Sequence, residues 1–418
     1  MVGNGAREHA LVWKIAQSPR VDEIFVAPGN AGTALIARNL EIKPDDTGAL
    51  IKVARGNGID LVVVGPEVPL ASGIVDRFQK EAIPIFGATE AATRLESSKV
   101  FAKELMEKYG IPCACSVSFS EYSRAKEYVR KQIPPLVIKV DGLAAGKGVM
   151  VAESIPEALE ALKTIMEDRA FGTAGDSVII EERLYGREMS AFLFTDGAAV
   201  TPMVTACDYK RAFDGDRGSN TGGMGSYSPP PFYNPSLAKT VMDTIMEPTV
   251  KAMAQEKRSY RGVLYGGLML TSGGPRVLEF NARFGDPETQ VILPRLKTDI
   301  VDIFTAAISG TLDKITIEWS EEACVGVVMA SGGYPGSYQT GFPITGLDSV
   351  DSGVEVFHAG TKIGTGPGQV LTNGGRVLTV VATGKTLATA REKVYNNISR
   401  IHFNGCQYRR DIALIKEG

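Results

Sequence analysis

Over the first hundred residues, short apolar runs alternate with stretches of helical spacing. Ile24–Ala27, Leu61–Val64 and Ile83–Phe86 read as strands, with Leu70–Lys80 as an amphipathic helix between the last two. Such a rhythm predicts β-α-β units and a parallel sheet. The strands empty into Pro28-Gly29-Asn30-Ala31-Gly32 and Gly65-Pro66-Glu67. Ligands of open α/β sheets sit beyond strand carboxyl ends, so both loops are candidate substrate contacts.

The pattern changes near Ser97-Ser98. A serine N-cap there opens a predicted helix with Phe101, Leu105, Met106 and Tyr109 on one face, stopped by Gly110 and Pro112. From Leu136 to Val151, two apolar strands around a Gly-rich loop predict a hairpin, and Ser177–Glu182 a further buried strand. Asp208–Pro231 is glycine-rich, charged and non-periodic, which predicts a long functional loop or lid. Leu237–Met253 returns to helical spacing with a kink expected at Pro248. Val263–Leu270 and Arg276–Phe284 flank the turn Thr271-Ser272-Gly273-Gly274-Pro275 and predict a second hairpin. Strands near Cys324–Ala330 and Arg376–Thr383 and a helix over Leu387–Ile398 close the chain. The expected units are 1–96, 97–305 (with a mobile part at about 115–187) and 306–418.

Composition narrows the function. The chain has 418 residues, 44% hydrophobic and 22% charged, with 45 Lys plus Arg against 48 Asp plus Glu and a net charge of −3. That is a folded, water-soluble composition without the cationic excess of a phosphate-backbone binder, so nucleic acid is excluded as a partner. Cys113, Cys115, Cys207, Cys324 and Cys406 are odd in number and scattered, which fits a reducing compartment. The pair at 113 and 115 lacks zinc spacing and reads as bystander thiols. The longest uncharged run, Ala323–Leu347, holds six Gly and two Pro and reads as a strand plus turns, not a membrane helix. Without a basic-then-apolar leader, the chain reads as cytoplasmic.

Candidate chemistry begins at Lys139-Val140-Asp141-Gly142-Leu143-Ala144-Ala145-Gly146-Lys147-Gly148. Glycines and a lysine after a strand can wrap amide groups and an ammonium around a polyphosphate. The spacing is not that of a Walker P-loop, and taken alone the segment equally fits a plain hairpin turn with a solvated lysine. The balance shifts with Arg276–Glu288. On a strand, Glu279, Asn281 and Arg283 share one face, roughly 6–7 Å apart, while Leu278, Phe280, Ala282 and Phe284 bury the other. A carboxylate, an amide oxygen and a guanidinium in line suit a hard cation and a phosphate. Lys99, in the first turn of a helix, and Lys139 add positive charge. Val178–Glu188 leads into a polar hinge able to meet adenine and ribose.

These segments, together with Glu96-Ser97-Ser98-Lys99, Asn220-Thr221-Gly222-Gly223-Met224-Gly225 and Arg283-Phe284-Gly285-Asp286-Pro287-Glu288-Thr289-Gln290, resemble the phosphoribosylamine–glycine ligase family of ATP-grasp enzymes. The likeness runs from Gly3 to the C-terminus, and Arg283–Gln290 is the family's own marker. It implies a multidomain α/β and α+β fold: a Rossmann-like N-terminal sheet, an ATP-grasp domain of two subdomains and a small C-terminal α+β domain. It implies ATP held by Lys99, Lys139, Gly142, Gly146, Lys147 and Gly148, with Glu181, Glu182 and Leu184 lining the adenine pocket and Glu188 on the ribose. It also implies Mg²⁺ or Mn²⁺ on Glu279 and Asn281, and Arg283, Lys147 and Asp208 near the transferred phosphoryl.

For the substrates 5-phosphoribosylamine and glycine, the resemblance points to Gly3, Asn4, Gly5, Arg7, Glu8, Asn30, Gly32, Pro66, Glu67, Lys210, Asn220, Thr221, Gly222 and Asp286, in a monomer. For the charged loop residues among them, a solvated loop is the competing reading. Family members begin with an apolar strand before Gly-Asn-Gly, whereas Met1-Val2 alone precedes it here, so a central strand of the N-terminal sheet is expected to be absent or frayed. Three other readings compete. A bicarbonate-activating ATP-grasp ligase would not need Arg283–Gln290. An NAD-type oxidoreductase, read from Gly3-x-Gly5, has Glu8 where a third glycine belongs. A nucleotide sensor would bind ATP without turnover.

Overall fold

The computed structural model describes residues 1–144 and 148–415. At the N-terminus, Val2–Gly3 pairs parallel with Phe25–Pro28, which pairs parallel with Arg38–Asn39. Val2 also bridges Val64 on its other side, and Val62–Val63 pairs parallel with Ile85–Phe86. The segment expected to be missing or frayed is thus the middle strand of the sheet. The expected helix over 70–80 is two helices, Glu67–Ala71 and Ile74–Lys80, because Gly73 turns left-handed at φ +76° between them.

The central region holds two antiparallel sheets. One contains Ser116–Phe119, Val178–Glu182, Leu136–Val140 and Val149–Ala152. It packs a separate small core that includes Ala125, Val129, Ile138 and Leu162 from strand and helix alike. The other contains Val200–Pro202, Arg187–Thr195, Gly262–Thr271 and Gly274–Asn281. Its apolar face meets the helices Lys99–Tyr109 and Glu247–Gln255 through Leu105, Met106, Val250 and Met253. The helix expected over 237–253 runs from Pro235 to Gln255, and a widened turn over Met242–Met246, just before Pro248, breaks its regular spacing there.

The segment expected as a lid over 208–231 is instead a series of short strands. Arg211–Phe213 and Arg217–Asn220 form a hairpin, and Gly225–Ser228 joins the C-terminal sheet beside Ala323–Ala330. Strands of two to four residues show no periodicity, which hid them. The Arg409 guanidinium, buried beneath, donates to the Arg211 carbonyl and pairs with Asp216 and Asp411. The C-terminal sheet continues through Arg376–Gly384 and Val354–His358, backed by the helix Leu387–Ile398, which Thr386 caps.

The N-terminal and C-terminal units are tied by buried histidines. His9 Nδ1 accepts from the His358 amide at 2.8 Å, and Asn30 Nδ2 donates to the His358 carbonyl at 2.7 Å. Burial, with His358 nearby, pushes His9 down to about 3, and burial pushes His358 down to about 4. Both are neutral when folded and protonate below their ordinary value when unfolded, so their stabilisation is complete above about pH 6.5 and is lost as pH falls. Urea titrations between pH 6.5 and 4.5 should show the stability of His9→Gln falling less steeply than wild type, by up to about 1.4 kcal/mol per pH unit. Parallel slopes would remove His9 from the acid response.

Candidate active site

A cavity of about 1520 Å³ opens between the two central sheets, with walls also from the N-terminal loops and the C-terminal sheet. Ser98 caps the helix Lys99–Tyr109 by accepting from the Phe101 amide, and Asp141 Oδ1 accepts from the Val100 amide at 3.2 Å. This fixes the start of the Gly-rich segment against that helix end. Lys99 Nζ donates to the Gly142 carbonyl at 2.8 Å. Lys139 Nζ donates to the Leu278 carbonyl at 2.9 Å and pairs with Glu181 Oε2 at 2.9 Å, while Lys103 holds Glu181 Oε1 at 3.0 Å. Burial lowers the Lys99 pKa, and Glu279 opposes that. Gly146 and Lys147 lie outside the described residues.

Glu279 and Asn281 both reach the cavity wall from the strand Gly274–Asn281. Two details differ from the sequence expectation. The register slips opposite Gly267–Leu268, so Val277 takes the fully buried place and Leu278 turns to the cavity. The strand also ends at Asn281, leaving Arg283 on the bend beyond it. Arg283 Nε donates to Glu67 Oε2 at 2.9 Å, and Nη1 to the Phe284 carbonyl at 3.1 Å. Its Nη2 donates to Asn281 Oδ1 at 3.2 Å and pairs with Glu96 Oε1 at 3.0 Å. Burial would raise Glu67, but Arg283 and Arg7 hold it down at about 2. Burial likewise opposes ionisation of Glu279, and Lys210, Lys99 and Lys139 overcome it, so this carboxylate stays charged.

Asp208, Lys210 and Glu188 meet at another wall, with Lys210 Nζ at 3.0 Å from Glu188 Oε2. Burial, together with Glu288, Glu188 and Glu279 and against Lys210, lifts Asp208 to about 7. Asp286 pairs with Arg376 at 2.8 Å, and Arg376 also donates to the Gly222 carbonyl. Glu182, Leu184, Arg7, Pro66, Asn220 and Thr221 line the same cavity.

Gly3, Asn4, Gly5, Glu8, Asn30, Gly32 and Gly148 are not brought to its wall. They shape the loops behind it. Glu8 Oε2 accepts from the Gly5 amide at 2.6 Å, and its side chain fills the space a Cβ at Gly3 or Gly65 would need. Asn30 Oδ1 accepts from the Gly32 and Thr33 amides, and Gly32 packs against His9 and His358.

Sequence reasoning missed Lys103, Arg376 and Tyr265, and gave no role to Glu96 and Glu288. Lys103 sits one helical turn after Lys99, which was a legible signal. Arg376 and Tyr265 come from distant strands and carried none.

One carboxylate and one amide oxygen on a strand floor fit a hard divalent ion. No group of three or more His, Cys, Asp or Glu able to hold a metal occurs among the described residues; beside a nucleotide, phosphate oxygens would supply further ligands. Two antiparallel sheets closing on lysines, with these oxygen donors between them, define an ATP-grasp ligase: an enzyme that uses ATP and a divalent metal.

Family models agree. Residues 1–96 match the phosphoribosylglycinamide synthetase N domain, 97–289 its ATP-grasp (A) domain and 324–415 its C domain. The chain is 50% identical over 417 residues to the phosphoribosylamine–glycine ligase of Escherichia coli K12, covering 99% of this chain and 97% of the relative. It is 48% identical over 413 residues to that of Halalkalibacterium halodurans, covering 99% and 96%. The crystal structure of the Thermotoga maritima phosphoribosylamine–glycine ligase superposes with a TM-score of 0.85 at 35% identity, covering 98% of each chain. A biotin carboxylase from Campylobacter jejuni shares the fold at 14% identity, with a TM-score of 0.75 over 99% of this chain and 93% of that one. The chain belongs to the phosphoribosylamine–glycine ligase family. Among the described residues, no helix is long and apolar enough to cross a membrane.

Proposed function

We propose that the protein joins glycine to 5-phosphoribosylamine, forming glycinamide ribonucleotide, ADP and phosphate. The observation that carries this is the Arg283 guanidinium, which links Glu67, the first residue of the helix that follows an N-terminal strand, to Asn281 on the strand floor of the cavity. One residue thus spans the amine-substrate loop and the nucleotide site. Lys99, Lys139 and Gly142 contact the phosphates, a role in which Gly146 and Lys147 would join them. Glu181, Glu182 and Leu184 face adenine, and Glu188 the ribose. Glu279 and Asn281 would hold Mg²⁺ or Mn²⁺, which neutralises phosphate charge when bound.

The glycine carboxylate attacks the γ-phosphorus, the bond to the β-phosphate oxygen breaks and ADP departs, leaving glycyl phosphate. The amine nitrogen of phosphoribosylamine then attacks the carbonyl carbon, loses a proton, and phosphate leaves with the C–O bonding pair. Arg283 stabilises charge on the moving phosphoryl, and Asp208 stands near the reacting groups. Positioning and charge neutralisation carry most of the rate. Arg7, Pro66, Glu67, Lys210, Asn220, Thr221, Gly222 and Asp286 contact the substrates. Gly3, Asn4, Gly5, Glu8, Asn30 and Gly32 shape those loops from behind.

Units at 1–96, 97–305 and 306–418, a monomeric state and a cytoplasmic location complete the reading. ADP release from Mg-ATP should require glycine and freshly generated phosphoribosylamine together. Release indifferent to glycine would overturn the assignment.

A further inference from the structure

Three buried charges bridge the two central sheets. Lys103, Lys139 and Glu181 are 8%, 6% and 3% exposed, and all three line the cavity. Lys139 and Glu181 belong to the sheet that contains Leu136–Val140 and Val178–Glu182. Val137 stands opposite Glu181 there, so Lys139, two residues on, projects from the same face. Lys103 comes from the other side, on the helix Lys99–Tyr109 that packs against the second sheet. Its Nζ lies 3.0 Å from Glu181 Oε1 and donates to the Ala114 carbonyl at 3.2 Å. Lys139 takes Glu181 Oε2 at 2.9 Å and donates to the Leu278 carbonyl of the second sheet at 2.9 Å.

One carboxylate thus answers two ammonium groups. Glu279 also lies in reach of Lys139, but it faces Lys210 and Lys99 as well. A buried ion pair adds little stability over apolar side chains of similar volume, so stability gives no reason for a second lysine here. Its electrostatic consequence is specific. Without Lys103, Glu181 and Lys139 would form a closed, neutral pair, whereas the trio keeps one net positive charge.

We propose that Lys103 is a positioning residue for ATP: by sharing Glu181 it prevents that carboxylate from neutralising Lys139 and leaves the Lys139 ammonium free to bind phosphate. This rests on the assignment of Lys139 to the phosphates in the ligase reading above, and adds the group that sustains it. Lys103 acts through Glu181 and itself touches no phosphate. In that it differs from Lys99, one helical turn earlier, whose Nζ reaches the Gly142 carbonyl of the Gly-rich segment.

The test measures Mg-ATP binding by calorimetry beside KM and kcat in the ADP-release assay. Lys103→Met should raise the Kd and KM for ATP roughly 10- to 100-fold, with a fall in kcat at saturating ATP of about 3-fold or less. Lys103→Arg, which keeps the cation, should recover most of the ATP affinity. Added to Lys139→Met, Lys103→Met should weaken ATP binding by less than about 3-fold more, because the group it acts through is already gone. Full additivity of the two substitutions would mean that Lys103 meets the nucleotide directly, and overturns the proposal. So does an ATP affinity within about 3-fold of wild type in folded Lys103→Met. If circular dichroism shows Lys103→Met unfolded, Lys103→Gln is read by the same criteria, and unfolding of both makes Lys103 a structural residue and overturns the proposal. Unchanged ATP affinity in Lys139→Met alone would instead overturn the underlying assignment of Lys139.

Discussion

Glu279→Gln is expected to lower kcat by about 10³-fold or more while leaving the protein folded. The substitution keeps the shape of the side chain and removes the charge. A metal aligned on the phosphates contributes several kcal/mol to transition-state stabilisation, and each 1.4 kcal/mol is about tenfold in rate. Glu279 lies in the electrostatic reach of Lys210, Lys99 and Lys139 together. In the variant those ammonium groups lose their shared counter-charge, so nucleotide without metal should still bind. The check is steady-state kcat at saturating substrates over a Mg²⁺ titration, with ATP binding followed by calorimetry in EDTA. A kcat within tenfold of wild type, or one restored by ordinary Mg²⁺ concentrations, would remove Glu279 from the metal site. Loss of metal-free ATP binding would instead make it part of the nucleotide pocket.

What could be read along the chain divides by the length of the element. The helix Leu387–Ile398 was legible to the residue, because twelve residues of helical spacing follow a strand that ends at Gly384 and a threonine cap at Thr386. The helix Lys99–Tyr109 was legible for the same reason, with Ser98 at one end and Gly110 at φ +66° at the other. Between Asp208 and Ser228 nothing was legible, because each strand is too short for a period, and Gly225–Ser228 finds its partner about a hundred residues downstream. The site divides in the same way. Glu279 and Asn281 stand two apart on one strand, so their convergence followed from geometry. Arg376 reaches Asp286 from a different sheet, 90 residues later, and only the fold brings it there. The glycines of the first loop carried a true signal with a different cause. Gly3, Gly65 and Gly32 are required by close packing against Glu8, His9 and His358, so they mark the loops behind the cavity instead of its wall.

Arg283→Met is expected to cost about 3–5 kcal/mol in urea denaturation, because it leaves the buried Glu96 and the half-buried Glu67 without their shared cation. Burial already raises the Glu96 pKa, with Arg283 opposing it, so this group should take up a proton in the variant. Arg283→Lys separates that structural effect from catalysis. A single ammonium keeps the charge near Glu67 and Glu96, so most of the stability should remain. It cannot also donate to Asn281 and the Phe284 carbonyl as the planar guanidinium does. The amine-substrate loop and the strand floor would then lose their common link, and kcat should fall about 10²- to 10³-fold, the range seen when one transition-state donor is lost. A double-mutant cycle with Glu67→Gln gives the further discrimination. If Arg283 acts on the transferred group through its fixed position, the two substitutions together should cost little more in kcat than Arg283→Lys alone. A kcat within tenfold of wild type in a stable Arg283→Lys protein would make Arg283 a structural clamp between two units, and the phosphoryl group would need another cation.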